Sequence, residues 1–399
     1  MIELLMFPVV YLKMEHKKKI CIVTGSRAEY GLLKLIMQEI SDSKDLTLQL
    51  IVTGSHLSQD LGKTIKQIET DGFKADYKVN ILEKDDSPRS ISRSISKVLN
   101  KFPTCYDSLK PDMLLVLGDR YEIFAAVTAA LIYKIPVAHI HGGEITEGAF
   151  DESLRHSITK MSSVHFTSCM EHKIRVEQLG ENPKHVFNVG APGVELIKSL
   201  KLLSKQSIQE IIGIPFQKNN YLVTFHPETL GKNTPEMQID SLLRVLEETN
   251  ASIIFTKSNS DPGGMIINKK IEEFVLKNLE KSILFSSLGQ LNYLSTMKYA
   301  TAVVGNSSSG LIEAPSLSVP VINIGDRQKG RLQSDNVINC GNNESQIKEA
   351  FGKLESLKIQ NKKSLFDGGN TSKKIIKIIR KLNFDTLLQK SFHDIPTKS

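Results

Sequence analysis

Tryptophan is absent from the 399 residues, and the only cysteines, at positions 21, 105, 169 and 340, include no C-x-x-C pair. Thiols so few and so far apart exclude a disulfide framework and a thiolate zinc site, and they suit a reducing compartment. No apolar run approaches the ~20 residues that a membrane-spanning helix requires. The apolar stretch at positions 1–11 is short, is interrupted by Glu3 and lacks both a basic leader and a small-residue cleavage site. It does not read as an export signal. Residues 1–18 read instead as an appendage to the first strand, with Met14 as an alternative start, and the protein is expected in the cytoplasm. A basic stripe interleaved with aromatics is also missing. The 51 Lys and Arg are spread among 44 Asp and Glu, so the net charge of +7 suits a small phosphorylated ligand better than nucleic acid or a membrane surface.

What is present is a strand–helix rhythm that runs twice. Strands are expected at 19–24, 46–53, 113–117 and 137–141, where short apolar runs have the continuous character of buried parallel strands. Helices at 30–41, 57–70, 121–133 and 151–161 alternate with them. Glycine and proline punctuate the middle at Val189-Gly190-Ala191-Pro192-Gly193 and Gly213-Ile214-Pro215. A second series then begins, with strands at 221–225, 252–256, 283–285, 302–305 and 319–324 and late helices at 344–354 and 373–382. The pattern predicts an α/β protein of two Rossmann-like, doubly wound domains facing across a cleft. The expected divisions are 19–190, 191–375, and a C-terminal helix and tail over 376–399.

Four clusters fall at expected strand ends, where such sheets present residues to a ligand. Thr24-Gly25-Ser26-Arg27 offers a glycine turn, a helix start and an Arg to an anion, or it is an ordinary turn with a solvated Arg. Gly118-Asp119-Arg120 supplies either a general base or merely a helix N-cap. The densest cluster runs His139-Ile140-His141-Gly142-Gly143-Glu144, then Asp151, Glu152, Arg155 and His156. Alternation along a strand puts His139 and His141 on one face. A metal site, metal-free acid/base chemistry and a structural role all fit this composition, and Asp151 with Arg155 reads equally as a surface ion pair. The glycine pair implies backbone approach to a ligand. In the second half, Phe225-His226-Pro227-Glu228 ends a strand. Gly305-Asn306-Ser307-Ser308-Ser309-Gly310 then opens a helix as a phosphate cradle, and cations follow at Arg327, Lys329 and Arg331.

On these motifs the sequence resembles, over roughly residues 18 to 385, the UDP-N-acetylglucosamine 2-epimerase family, and within it the hydrolysing bacterial branch that supplies sialic-acid-type sugars. The resemblance implies a glycosyltransferase-B architecture, with the nucleotide held by the second domain and the sugar between the two. It implies catalytic carboxylates at Asp119 and Asp151, with His226 and the Ser307–Ser308 turn on the diphosphate and Glu313 on the ribose. Arg27, Arg120, Asn259 and Arg327 would line the nucleotide. Relatives carry Glu where this chain has His141, which makes the third acid/base group an imidazole here. Homodimers or higher homo-oligomers are expected from the relatives.

The reaction implied converts UDP-GlcNAc and water to N-acetylmannosamine and UDP. UDP is eliminated to leave 2-acetamidoglucal, with Asp119 or Asp151 as base, and water is then added with His141 or Glu144 managing the second proton. Arg155 joins the binding set, and no metal or other cofactor is required. UDP-N,N'-diacetylbacillosamine, on the way to legionaminic acid, is the alternative substrate. A glycosyltransferase of the same architecture, a non-catalytic nucleotide-sugar binder and a non-hydrolysing epimerase are the rival readings.

Overall fold

The computed structural model describes residues 17–231, 233–259, 261–359 and 364–395, so the appendage expected over 1–18 lies almost wholly outside the described residues. The first sheet contains β1 (Lys18–Thr24), β2 (Leu46–Thr53), β3 (Tyr77–Val79), β4 (Met113–Leu117), β5 (Val137–Ile140), β6 (Val164–Thr167) and β7 (Val186–Asn188). Its order is β3-β2-β1-β4-β5-β6-β7, and the pairs are parallel. The second contains β8 (Asn220–Thr224), β9 (Ser252–Thr256), β10 (Ser282–Phe285), β11 (Ala302–Gly305), β12 (Val321–Ile324) and β13 (Val337–Cys340). It is also parallel, in the order β10-β9-β8-β11-β12-β13.

Each sheet is covered on both faces, which is why central strands such as β4 are apolar without alternation. Along β4, Met113, Leu115 and Leu117 enter one core while Leu114 and Val116 enter the core behind the sheet. The second sheet has the same two-faced packing, with Val223 on one side and Leu222 on the other. In each sheet the strand order reverses once, between β1 and β4 and between β8 and β11. Crevices open at such points, beyond the carboxyl ends of the strands.

Several elements depart from expectation for identifiable reasons. The short edge strands β3, β7 and β13 carry too few residues to show a period. A helix at Pro88–Leu109, started by Ser87 accepting from Ser90 N, was not expected because serines occupy its inner face: its buried positions include Ser90, Ser94, Val98, Phe102 and Cys105. The helix expected at 57–70 is confined to Ile65–Thr70, since Gly62 at φ 87° and Lys63 at φ 41° break the right-handed path before it.

The late helix Thr371–Lys381 returns to the first sheet. Its Ile375, Ile376 and Ile379 are buried with Ile20, Leu33 and Met37 in one core. The chain therefore crosses between the two sheets twice. No helix among the described residues is long and apolar enough to cross a membrane.

Candidate active site

The ends of β1 and β4 face the ends of β8 and β11 across a cavity of ≈ 310 Å³. The thirteen residues expected to act in catalysis or binding all line it: Arg27, Asp119, Arg120, His141, Glu144, Asp151, Arg155, His226, Asn259, Ser307, Ser308, Glu313 and Arg327. Local geometry then separates the readings that the sequence left open.

At the end of β1, Ser26 caps the helix Arg27–Ser41 and Glu29 completes a capping box. The Gly25 and Ser26 N–H groups both donate to Glu29 Oε2, at 2.7 and 2.9 Å. Those two donors are thereby occupied, which corrects the reading of this turn as a backbone anion cradle. The cation at this corner is the Arg27 side chain, whose Nη1 donates to Ser286 O at 3.2 Å across the cleft.

Asp119 is not an N-cap. Arg120 holds that position for the helix Tyr121–Ile132, and the Asp119 carboxylate instead accepts from Arg155 Nη2. This also corrects the surface-pair reading of Asp151 with Arg155, since both are buried. Arg155 spans Asp119 and the His141 carbonyl, the latter at 2.9 Å. Asp151 keeps a buried Oδ2 without a hydrogen-bond partner. Burial, with Asp261 and Asp119 nearby, pushes its carboxyl up to about 8.

The two histidines expected on one strand face do not share it. β5 ends at Ile140, and His141 turns away with φ 66°. His139 is fully buried, with Nε2 2.7 Å from Gly118 O and Nδ1 3.1 Å from Thr159 Oγ1. Burial lowers its pKa to about 3, so it is a neutral core group that ties β5 to the turn after β4. His156 bonds Glu152 at 3.0 Å. The histidines thus serve separate partners, and among the described residues no cluster of three or more His, Cys, Asp or Glu is arranged to hold a metal ion. The glycine pair also makes room for protein and not for a ligand: a Cβ on Gly143 would lie 2.3 Å from His172 O.

His141 Nδ1 lies 2.7 Å from Glu144 Oε1. Glu144 also meets Arg331 Nη1 at 3.0 Å and accepts from Ser168 Oγ at 3.2 Å. Burial alone would raise its carboxyl, but His141, Arg331 and Arg155 outweigh burial and hold it well below the usual range.

The second domain supplies the cationic end. His226 Nδ1 accepts from the Asn259 N–H at 3.2 Å, so its proton is on Nε2. Burial, then Arg327, Arg120 and Arg27, hold the imidazole well below its ordinary pKa and so neutral. Arg327 Nη1 donates to Asn306 O at 3.2 Å, and its Nε is buried without a partner. Ser307 starts the short helix Ser308–Ile312. Burial pushes Glu313 up to about 7.

Three further residues belong to the site. Arg120 is held by Glu122 at 2.7 Å and reaches Asp261 across the cleft at 3.2 Å, while Arg331 reaches Glu144. Glu122 stands two residues beyond the Gly118-Asp119-Arg120 motif, and Arg331 was noted in the late cation run. Asp261 carries no sequence signal, because its partner is 141 positions away.

The family described as UDP-N-acetylglucosamine 2-epimerase matches residues 38–380. The chain is 44% identical over 385 residues to the GDP/UDP-N,N'-diacetylbacillosamine 2-epimerase (hydrolyzing) of Campylobacter jejuni, covering 95% of this chain and 100% of that protein. It is also 44% identical to the polysialic acid biosynthesis protein P7 of Escherichia coli, over 80% of this chain and 82% of the relative. A crystal structure of UDP-GlcNAc 2-epimerase from Neisseria meningitidis bound to UDP-GlcNAc superposes with a TM-score of 0.78 at 21% identity. It covers 91% of this chain and 100% of that one, and shows the same two-domain fold.

Proposed function

The chain belongs to the UDP-N-acetylglucosamine 2-epimerase family, and from that premise we propose that it is a hydrolysing enzyme converting UDP-GlcNAc and water to N-acetylmannosamine and UDP. The observation that carries this reading is the lining of the cavity between the two sheets. The second domain brings His226, Arg327 and the Ser307–Ser308 turn to it, and the first domain brings Asp119, His141 and Asp151. Such a cavity suits a ligand with a diphosphate at one end and a reacting sugar at the other.

The carbon 2 proton is barely acidic, and a positioned base contributes only ~10²–10⁴-fold. The larger contribution comes from charge neutralisation on the departing diphosphate, for which Arg27, Arg327 and the Nε2–H of His226 are suited. As the bond from carbon 1 to UDP breaks, positive character at carbon 1 makes the neighbouring proton easier to remove. Inversion then requires a proton to leave one face of carbon 2 and another to arrive on the opposite face. Asp119, ion-paired to Arg155, enters as the carboxylate base. Asp151, pushed up to about 8, enters carrying the proton to be returned. Glu313 would meet the ribose, and Arg120, Arg155 and Asn259 would support the diphosphate and sugar. No step calls on a metal or a redox cofactor. The reaction places the protein in the cytoplasm, where nucleotide sugars are made, and a homo-oligomer is the expected assembly.

A second substrate has specific support. The Campylobacter relative, similar along its whole length, is named for the N,N'-diacetylbacillosamine nucleotide, as is a Legionella pneumophila relative at 35% identity. The two sugars differ only at carbons 4 and 6.

Both substrates are tested together by proton NMR in D₂O. Free UDP with a manno-configured sugar deuterated at carbon 2 is expected, and the faster substrate identifies the sugar. Nucleotide sugars left intact without an acceptor would exclude the epimerase and favour a transferase or a binding protein.

A further inference from the structure

Elimination followed by hydration needs three proton movements, and Asp119 and Asp151 account for two of them. The third is the proton lost by the incoming water. Resting on the hydrolysing reading above, the geometry points to His141 as the group that accepts it.

Glu144 faces two permanent cations, Arg331 Nη1 at 3.0 Å and Arg155 Nη1 at 3.9 Å, which keep it a carboxylate, and an ionised carboxylate only accepts hydrogen bonds. The 2.7 Å contact therefore places a hydrogen on His141 Nδ1, and in the neutral imidazole the lone pair is then on Nε2. That Nε2 is buried without a partner among the described residues, on a side chain that lines the cavity. An imidazole fixed by a carboxylate at one nitrogen and bare at the other is the arrangement of a general base, because the carboxylate stabilises the imidazolium that forms.

What holds Glu144 in place comes from the other domain. Arg331, in the segment following β12, meets Glu144 Oε2 at 3.0 Å, Ile145 O at 2.9 Å and Thr146 Oγ1 at 3.2 Å. Its side chain is 8% exposed. The surrounding loops are seated on each other: Glu147 N donates to Lys329 O at 3.4 Å, and Phe150 N to Thr229 Oγ1 at 3.1 Å.

We propose that Arg331 is a positioning residue from the second domain that aligns a water-activating His141–Glu144 pair, so that the hydrolytic half of the reaction is assembled only when the cleft is closed. As Asp151 delivers its proton, the electron pair of the carbon 1–carbon 2 double bond forms the new C–H bond. Carbon 1 takes an electron pair from the water oxygen, and the water proton passes to His141 Nε2. Of the protons then held by Asp119 and His141, one reloads Asp151 and one leaves with UDP.

The test follows UDP, 2-acetamidoglucal and free sugar by NMR from UDP-GlcNAc (or from the diacetylbacillosamine nucleotide, should that prove the substrate) with wild type, Glu144→Gln, Arg331→Met and Arg331→Lys. Glu144→Gln and Arg331→Met are expected to slow sugar formation by ~10²-fold, more than UDP release, so that the glucal accumulates. Arg331→Lys should restore part of the loss. Equal falls in UDP and sugar without added glucal would overturn the proposal. A wild-type enzyme that releases no UDP from either substrate would instead overturn the epimerase reading itself. Should the variants not fold, ¹⁵N shifts of His141 in the wild type, assigned against His141→Gln, decide the matter. A bare Nε2 at neutral pH is expected, and a proton there overturns the assignment.

Discussion

Asp119 and Asp151 both line the cavity but in different states, and that difference can be measured. Asp119→Asn removes the base while leaving the cationic side intact. Turnover should fall ~10²–10⁴-fold with UDP affinity by calorimetry nearly unchanged, and a parallel loss of UDP binding would contradict the assignment. Asp151 has a folded pKa of about 8 against ~3.9 for a free Asp. The folded state thus holds this proton more tightly than the unfolded chain does. Its stabilisation is full below about pH 4 and is lost as pH climbs through about 8. Asp151→Asn cannot ionise, so its Tm should fall less steeply than that of the wild type between pH 6 and 9. Some slope remains from Glu29, which burial and Glu122 raise to about 8. Parallel Tm curves would contradict the shift. Several site residues were readable from sequence because they sit beside a glycine at a strand end, as Asp119 follows Gly118 and His141 precedes Gly142. Their pairings were not, since Arg155 meets Asp119, 36 positions away, and not its helical neighbour Asp151.

At the scale of elements, the two reversals of strand order decide where the chemistry sits, and the backbone there leaves little tolerance. Gly305 closes β11 at φ 129°, and a Cβ on it would lie 2.0 Å from Thr224 O, a backbone atom of the neighbouring strand. Gly305→Ala should lower stability by about 1–3 kcal/mol in denaturant melts. It should also weaken UDP binding, because Asn306 and Ser307 follow directly. Unchanged melts would show that the turn can relax. Central strands such as β4, β9 and β11 were readable to the residue, since burial on both faces forces continuous apolar runs. The end of β5 was misread by one residue, which was enough to send His139 into the core and His141 into the cavity. The long helix at Pro88–Leu109 went unseen because small serines are buried where apolar side chains would mark a period.

For the whole molecule, the double crossing between sheets is the property least visible in the sequence. The isoleucines at 375, 376 and 379 announce an amphipathic helix, but nothing in their spacing says which sheet they cover. Ile376→Ala should cost about 2–5 kcal/mol, read as a Tm loss. Because the affected core lies under β1 and β2, hydrogen exchange should quicken in the first domain more than in the second. The opposite pattern would contradict the packing.

That returning helix also sets an order of events during synthesis. A nascent chain can assemble most of its amino-terminal half early, yet the trough along Ile20, Leu33 and Met37 stays open until residues 375–387 have emerged from the ribosome. The half made first is therefore completed last, and a stalled or prematurely terminated chain would display an apolar groove of the kind that chaperones and aggregating neighbours find.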